Sequence, residues 1–143
     1  MHNFFLLGHW NLLILCNFGA SFDSNIEKPC MLLLDSLLSI GARSLQVQII
    51  SFVMDIYKAL GREVDKDIIA QIPLHVPKVP QQKNGEECGI FVLYFIHLFM
   101  RDASKSECSE GYPDFLTRAW FNREEVDKFD EEVRLFLDRN KDN

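Results

Sequence analysis

Residues 79–100 read VPQQKNGEECGIFVLYFIHLFM. A polar loop, QQKNGEE, passes without a break into a run that is apolar nearly all round. Asn84-Gly85 is the turn signal inside the loop. The run from Cys88 is about as long as an average globular helix and has no polar face, which predicts a buried central helix starting at or near Cys88. A helix start holds unsatisfied N–H groups and a partial positive charge. Both stabilise a thiolate, so a cysteine there can act as a nucleophile, and loop N–H groups beside it can bind an oxyanion. Gly89 leaves room for a substrate backbone. The plainer reading is that Cys88 is a small residue filling a helix start, and spacing alone favours it.

A nucleophilic cysteine needs a histidine, and the histidine needs a group to orient it. The chain offers His2, His9, His75 and His97. His97 lies more than two turns along the same helix, too far from Cys88 to touch it. His75 lies in an extended Pro-rich stretch, and His2 at the terminus. His9 sits where a strand begins. Phe4–Leu7 and Trp10–Phe18 are short bulky apolar runs around Gly8, as expected of buried strands. Residues 19–29, GASFDSNIEKP, have loop composition. CMLLLDSL then reads as a further buried strand ended by Asp35. A hairpin of the two would bring His9 near Asp35. Lone strand histidines and strand-end aspartates are more often structural, so this pair is attractive but open at this point.

The rest of the chain supports one domain over residues 1–143. Leu45, Ile49, Phe52, Val53, Ile56 and Leu60 recur at helical spacing, which predicts a helix over Ser44–Leu60 with Gly61 as its stop. IPLHVPKVP is extended, because each X-Pro step disfavours helix. Near the C-terminus, Asn122 and Glu125 have capping-box spacing, and Val126, Phe129, Val133, Phe136 and Leu137 form an apolar stripe. The charges between them read as a solvated face.

Composition narrows the function classes. The 143 residues can bury a real core. Net charge is −6 with no Lys/Arg cluster, which argues against nucleic acid as a ligand. Cys16, Cys30, Cys88 and Cys108 are scattered, so neither a zinc site nor a disulfide scaffold is expected. No stretch is long and apolar enough for a membrane span. The opening MHNFFLLGHWNLLILCNFGAS imitates a secretory leader, but it lacks the leading positive charge, and Trp10-Asn11 interrupts the apolar run. It is read as a strand of the working protein, and the protein as intracellular and not secreted.

Taken together, His9-Trp10, LLLDSL and VPQQKNGEECG resemble the SUMO-specific (ubiquitin-like-protein-specific) cysteine proteases, in motif, order and approximate spacing. The apolar segment after the cysteine and the closing Trp-Phe-x-x-Glu-Glu helix look like the plant branch. The resemblance implies an α+β, papain-like cysteine protease fold, N-terminally truncated, with the central helix packed on a small sheet. It also implies that Cys88 attacks the carbonyl after a Gly-Gly terminus, that His9 is base and then acid, and that Asp35 orients His9. Gln82 would supply an oxyanion-hole NH₂, and Trp10 would cover the channel for the slim Gly-Gly tail. Gln81, Asn84 and Gly85 look loop-shaping, and Glu87 stands where the family usually has Asp. The implied function is a thiol-dependent peptidase or isopeptidase on SUMO-type modifiers and their conjugates, without cofactor or metal, in the nucleus. The alternative is a weak or inactive fragment that binds a ubiquitin-like protein. Cleavage after Ala20 would remove the implied base, which is a second reason to keep the N-terminal run.

Overall fold

The structure, a computed structural model, describes residues 2–6, 8–23, 28–38 and 41–141. Four strands form one sheet in the order β1 (His2–Leu6), β2 (His9–Cys16), β3 (Cys30–Leu34), β4 (Leu74–His75). The first three run antiparallel, and β4 joins β3 in parallel. Gly8, between β1 and β2, has φ +79, a conformation that glycine adopts without a Cβ penalty. β2 stops at Cys16, two residues before the apolar run ends, because Asn17 takes φ 60 and its carbonyl accepts from Ala20 N. Asn is one of the few residues that tolerates that region.

The continuous apolar runs Leu12–Cys16 of β2 and Cys30–Leu34 of β3 have a packing cause: both faces of the sheet are covered there. Leu12, Ile14, Leu32 and Leu34 belong to a cluster with Phe91, Phe95 and Leu98 of helix α3 (Cys88–Asp102). Leu13, Met31 and Leu33 alternate to the other side, with Ile49, Val53 and Tyr57 of helix α1 (Gln46–Ala59). The molecule is therefore three layers, helix–sheet–helix, around two apolar clusters. A short 3-10 turn over Ala42–Leu45 leads into α1. At its end Gly61 has φ +68, Gly61 N–H reaches Lys58 O and Arg62 N–H reaches Tyr57 O, the paired bonds of a glycine helix stop.

Two short elements escape the sequence reading. Helix α2 (Lys66–Ala70) has only five residues, and its sequence signal is the Asp65 cap, which accepts from Asp67 N. The extended IPLHVPKVP segment contains β4, held to β3 by Met31 N–H donating to Pro73 O at 2.8 Å. Helix α4 (Arg123–Asn140) starts with the expected capping box between Asn122 and Glu125. Its apolar stripe is only half used: Val126 is buried and Phe129 packs on the α3 side, whereas Phe136 and Leu137 are exposed.

Candidate active site

Leu12 of β2 faces Leu34 of β3. Continued by one residue, that register sets Asp35 opposite Asn11 and puts His9 one diagonal step away on the same face. Diagonal neighbours of this kind lie within reach of long side chains. The result is a short contact: His9 Nε2 lies 2.6 Å from Asp35 Oδ1, with His9 6% and Asp35 1% exposed. Leu37 N–H also donates to Asp35 Oδ1, at 2.9 Å, so the carboxylate is fixed from two sides. Because Nε2 is engaged by Asp35, Nδ1 is the ring nitrogen left to serve a thiol.

Beyond β3 the chain is stitched to the loop before α3. Gln82 N–H donates to Ser36 O at 2.9 Å, and Ser36 Oγ–H donates to Gln82 Oε1 at 2.5 Å. Gln81 bridges the same segments: its amide NH₂ donates to Asp35 O and Val79 O, and its carbonyl accepts from Leu38 N–H. Gln82 Nε2 gives one hydrogen to Asn84 O at 2.5 Å, which leaves its second for another acceptor. Cys88 is the first residue of α3 and 5% exposed. A Cβ added at Gly89 would meet nothing within 4 Å, so the backbone beside the thiol faces open space. Trp10, next to His9, is 41% exposed.

The structure therefore joins His9, Asp35 and Gln82 in one set of hydrogen-bonded segments that leads to Cys88. Among the described residues no hydrogen bond joins the Cys88 thiol to the His9 ring; catalytic bonds are often long in unliganded sites and tighten when substrate binds. His97 instead stacks between Tyr94 and Phe129, and the His75 ring lies against Tyr112. Among the described residues no group of three or more His, Cys, Asp or Glu side chains is placed to hold a metal. No described helix is long and apolar enough to cross a membrane.

Sequence reasoning missed two neighbours of the site, Ser36 and Asn11, and the partner of a third, Glu87. Ser36 holds Gln82, and no local pattern marks it. Asn11, two residues after His9, is 2% exposed, and its Oδ1 has no hydrogen-bond partner among the described residues. Glu87, the residue before Cys88, takes both ends of the Arg123 guanidinium on its two oxygens and also accepts from Lys83 N–H. That arginine holds the Glu87 carboxylate down to about 2. The clue for this pair was a cation in the first turn of a helix, where the macrodipole opposes it.

A second thiol needs separating from Cys88 in any labelling experiment. Cys16 and Cys30 face each other across β2 and β3 and both pack on the α3 side. A hydrogen bond between the two thiols eases the first ionisation of the pair and opposes the second, so one thiol of the pair is lowered and the other raised. Iodoacetamide at pH 7.5 should therefore modify one cysteine of this pair well ahead of the other, because the thiolate is the nucleophile and only one of the two ionises readily. Peptide mapping by mass reads this directly. Equal rates at the two cysteines would mean that the hydrogen bond does not set their acidity.

A scan of family models matches residues 4–138 to the Ulp1 protease family, C-terminal catalytic domain. The chain belongs to that family, and its α+β fold is that of the family's cysteine protease domain. It is 32% identical over 131 residues to "Probable ubiquitin-like-specific protease 2A" of Arabidopsis thaliana, covering 82% of this chain and 16% of that protein. It is 34% identical over 80 residues to "Sentrin-specific protease 6" of Mus musculus, covering 53% of this chain and 7% of that one. Among solved structures it resembles one titled "Crystal structure of the de-sumoylating protease", with TM-score 0.51 and 26% identity over 72% of this chain and 38% of that chain. The chain thus spans a small part of the length of these relatives.

Proposed function

We propose that the protein is a thiol-dependent peptidase or isopeptidase that cleaves after the C-terminal Gly-Gly of a SUMO-type ubiquitin-like modifier. The observation that carries this reading is the buried His9–Asp35 contact at 2.6 Å, tied through Ser36 and Gln82 to a loop that ends at Cys88, the first residue of α3. Relatives named as ubiquitin-like-specific and sentrin-specific proteases support the substrate class.

In the proposed mechanism, His9 Nδ1 takes the proton of Cys88, and the thiolate sulfur attacks the glycine carbonyl carbon. Negative charge collects on the carbonyl oxygen. The free N–H of Gln82 and backbone N–H groups at the start of α3 stabilise it. The C–N bond then breaks and His9 gives its proton to the leaving amine, which leaves an acyl thioester on Cys88. Water, deprotonated by His9, attacks that thioester and releases the glycine carboxylate and the thiol. Asp35 holds the ring in the tautomer this requires. Trp10, flat and partly exposed beside His9, covers glycines that carry no side chains. The proposed place of work is the nucleus.

The test is the intact mass of the purified chain after mixing with SUMO that carries a C-terminal electrophile. Ubiquitin bearing the same electrophile and Cys88→Ser are the controls. A SUMO-sized adduct lost in Cys88→Ser is the expected result. No adduct from a chain that circular dichroism shows to be folded would overturn the activity and leave a binding role.

A further inference from the structure

Glu87 and Arg123 come from distant parts of the sequence and meet at the one place where the nucleophile-bearing helix begins. Glu87 is the residue before α3, and Arg123 is the first residue of α4. Arg123 Nη1 donates to Glu87 Oε2 at 2.9 Å, and Nη2 donates to Oε1. This is the two-pronged carboxylate contact that only arginine makes. Arg123 is braced in turn by Asp127, one turn on, through Nε at 2.9 Å. Glu87 Oε2 also accepts Lys83 N–H at 3.1 Å, which closes the loop between Lys83 and Glu87 on itself. Inside that loop, Asn84 O receives Gln82 Nε2, and Asn84 Oδ1 receives Glu86 N–H.

The consequence is geometric. Gln82 and Cys88 stand at the two ends of a six-residue step, and the carboxylate of Glu87 ties the interior of that step to α4. Glutamate is also one methylene longer than aspartate, which extends its reach toward α4. The cost of placing Arg123 against the positive end of a helix dipole is offset by this contact and by Asp127.

We infer that Arg123, acting through Glu87, is a positioning residue that clamps the Gln82–Cys88 loop to α4 and so sets the spacing between oxyanion donor and nucleophile. This deepens the proposed activity and rests on it. An enzyme group displaced by about 1 Å can lose about a hundredfold in rate without any loss of binding. Arg123 and Glu87 act as one unit in this account, so removing either should cost about as much as removing both.

The experiment uses the full chain with Arg123→Gln, Glu87→Gln, the double variant and Arg123→Lys. Each is assayed for kcat and KM on a SUMO precursor, with the midpoint of thermal unfolding and the amide exchange of Lys83 measured alongside. In Arg123→Gln we expect kcat to fall about tenfold or more with KM unchanged. The double variant should be no worse than the worse single, and Arg123→Lys should recover only part of the rate. Lys83 exchange should quicken in Arg123→Gln, because its acceptor is no longer held. Unchanged kcat in a folded Arg123→Gln overturns the clamp and leaves the protease reading standing. A rise in KM alone also overturns it and makes Arg123 a partner contact. If the variants lose rate only in proportion to their unfolded fraction, the pair is structural and the inference fails. A folded wild-type chain with no turnover and no SUMO adduct removes the protease reading, and the positioning role with it.

Discussion

Asp35→Ala should lower kcat on a SUMO precursor by about 10³- to 10⁴-fold, the scale seen when the orienting member of a nucleophile–histidine–acid set is disabled. Asp35→Asn should cost far less, about tenfold, because Leu37 N–H holds the amide oxygen on the His9 side; an asparagine that turned its NH₂ to His9 would impose the wrong tautomer and cost as much as alanine. The difference follows from one oxygen. Asp35 Oδ1 receives both His9 Nε2 and Leu37 N–H. An asparagine can place its carbonyl oxygen at the same point and accept both bonds, so ring orientation survives and only the negative charge is lost. A hydrogen bond to a charged group is worth about 1 kcal/mol more than one between neutral groups, close to a factor of ten in rate. Alanine removes the acceptor altogether. It leaves the buried His9 ring unheld and Leu37 N–H without its partner, which adds a stability loss of about 1–3 kcal/mol. Thermal unfolding of both variants separates that loss from the kinetic one. Should Asp35→Ala turn over within tenfold of the wild type, Asp35 has no part in the mechanism. Should Asn and Ala fall equally, the acceptor oxygen at this point does not by itself keep the ring working, and Asp35 acts through its charge or through the tautomer that only a carboxylate enforces.

The parts of this site that were legible in the sequence are those set by local pattern. The switch from QQKNGEE to an all-apolar run located α3 and put Cys88 at its first position. Apolar strands separated by a polar loop gave the β2–β3 hairpin, and with it the His9–Asp35 approach. The capping box at Asn122 fixed the start of α4. The parts that were not legible depend on chain segments meeting from far apart. Ser36 holds Gln82 across 46 residues, and Arg123 meets Glu87 across 36. No periodicity encodes such pairs. The segment of β4 reads as extended, but the three residues between Pro73 and Pro77 carry no strand signal that would mark its pairing. The absence of polar alternation in the Leu12–Cys16 and Cys30–Leu34 runs reads as buried strands, and the structure covers both faces of the sheet there. The apolar stripe of α4 shows the opposite limit. Periodicity marks Phe136 and Leu137 as readily as Val126, yet only the first part of the helix lies against α3.

That limit sets up the second large effect. Phe95→Ala should destabilise the fold by about 3–5 kcal/mol, whereas Phe136→Ala should stay within about 0.5 kcal/mol. Both are helical phenylalanines at apolar positions, Phe95 in the all-apolar α3 and Phe136 on the apolar stripe of α4. Phe95 is fully buried in the α3 side of the core. Its ring stacks on Trp120 with centroids 5.8 Å apart and lies 6.0 Å from Phe91 and 5.9 Å from Phe121. Truncation there removes the transfer term, opens a cavity and breaks the ring contacts that join α3 to the segment before α4. Against a typical total of about 5–15 kcal/mol, that is a large share of the stability of the domain. Phe136 is 65% exposed, so its loss removes little buried area. Urea unfolding of the two variants measures the contrast. Equal losses would mean that the exposed end of α4 is packed in solution, and that the chain carries a contact on that face. The same comparison bears on catalysis, because Phe95 lies two turns along the helix that Cys88 begins. If Phe95→Ala stays folded in the cold but turns over more slowly per folded molecule, the core behind α3 is holding the thiol in line as well as holding the fold together.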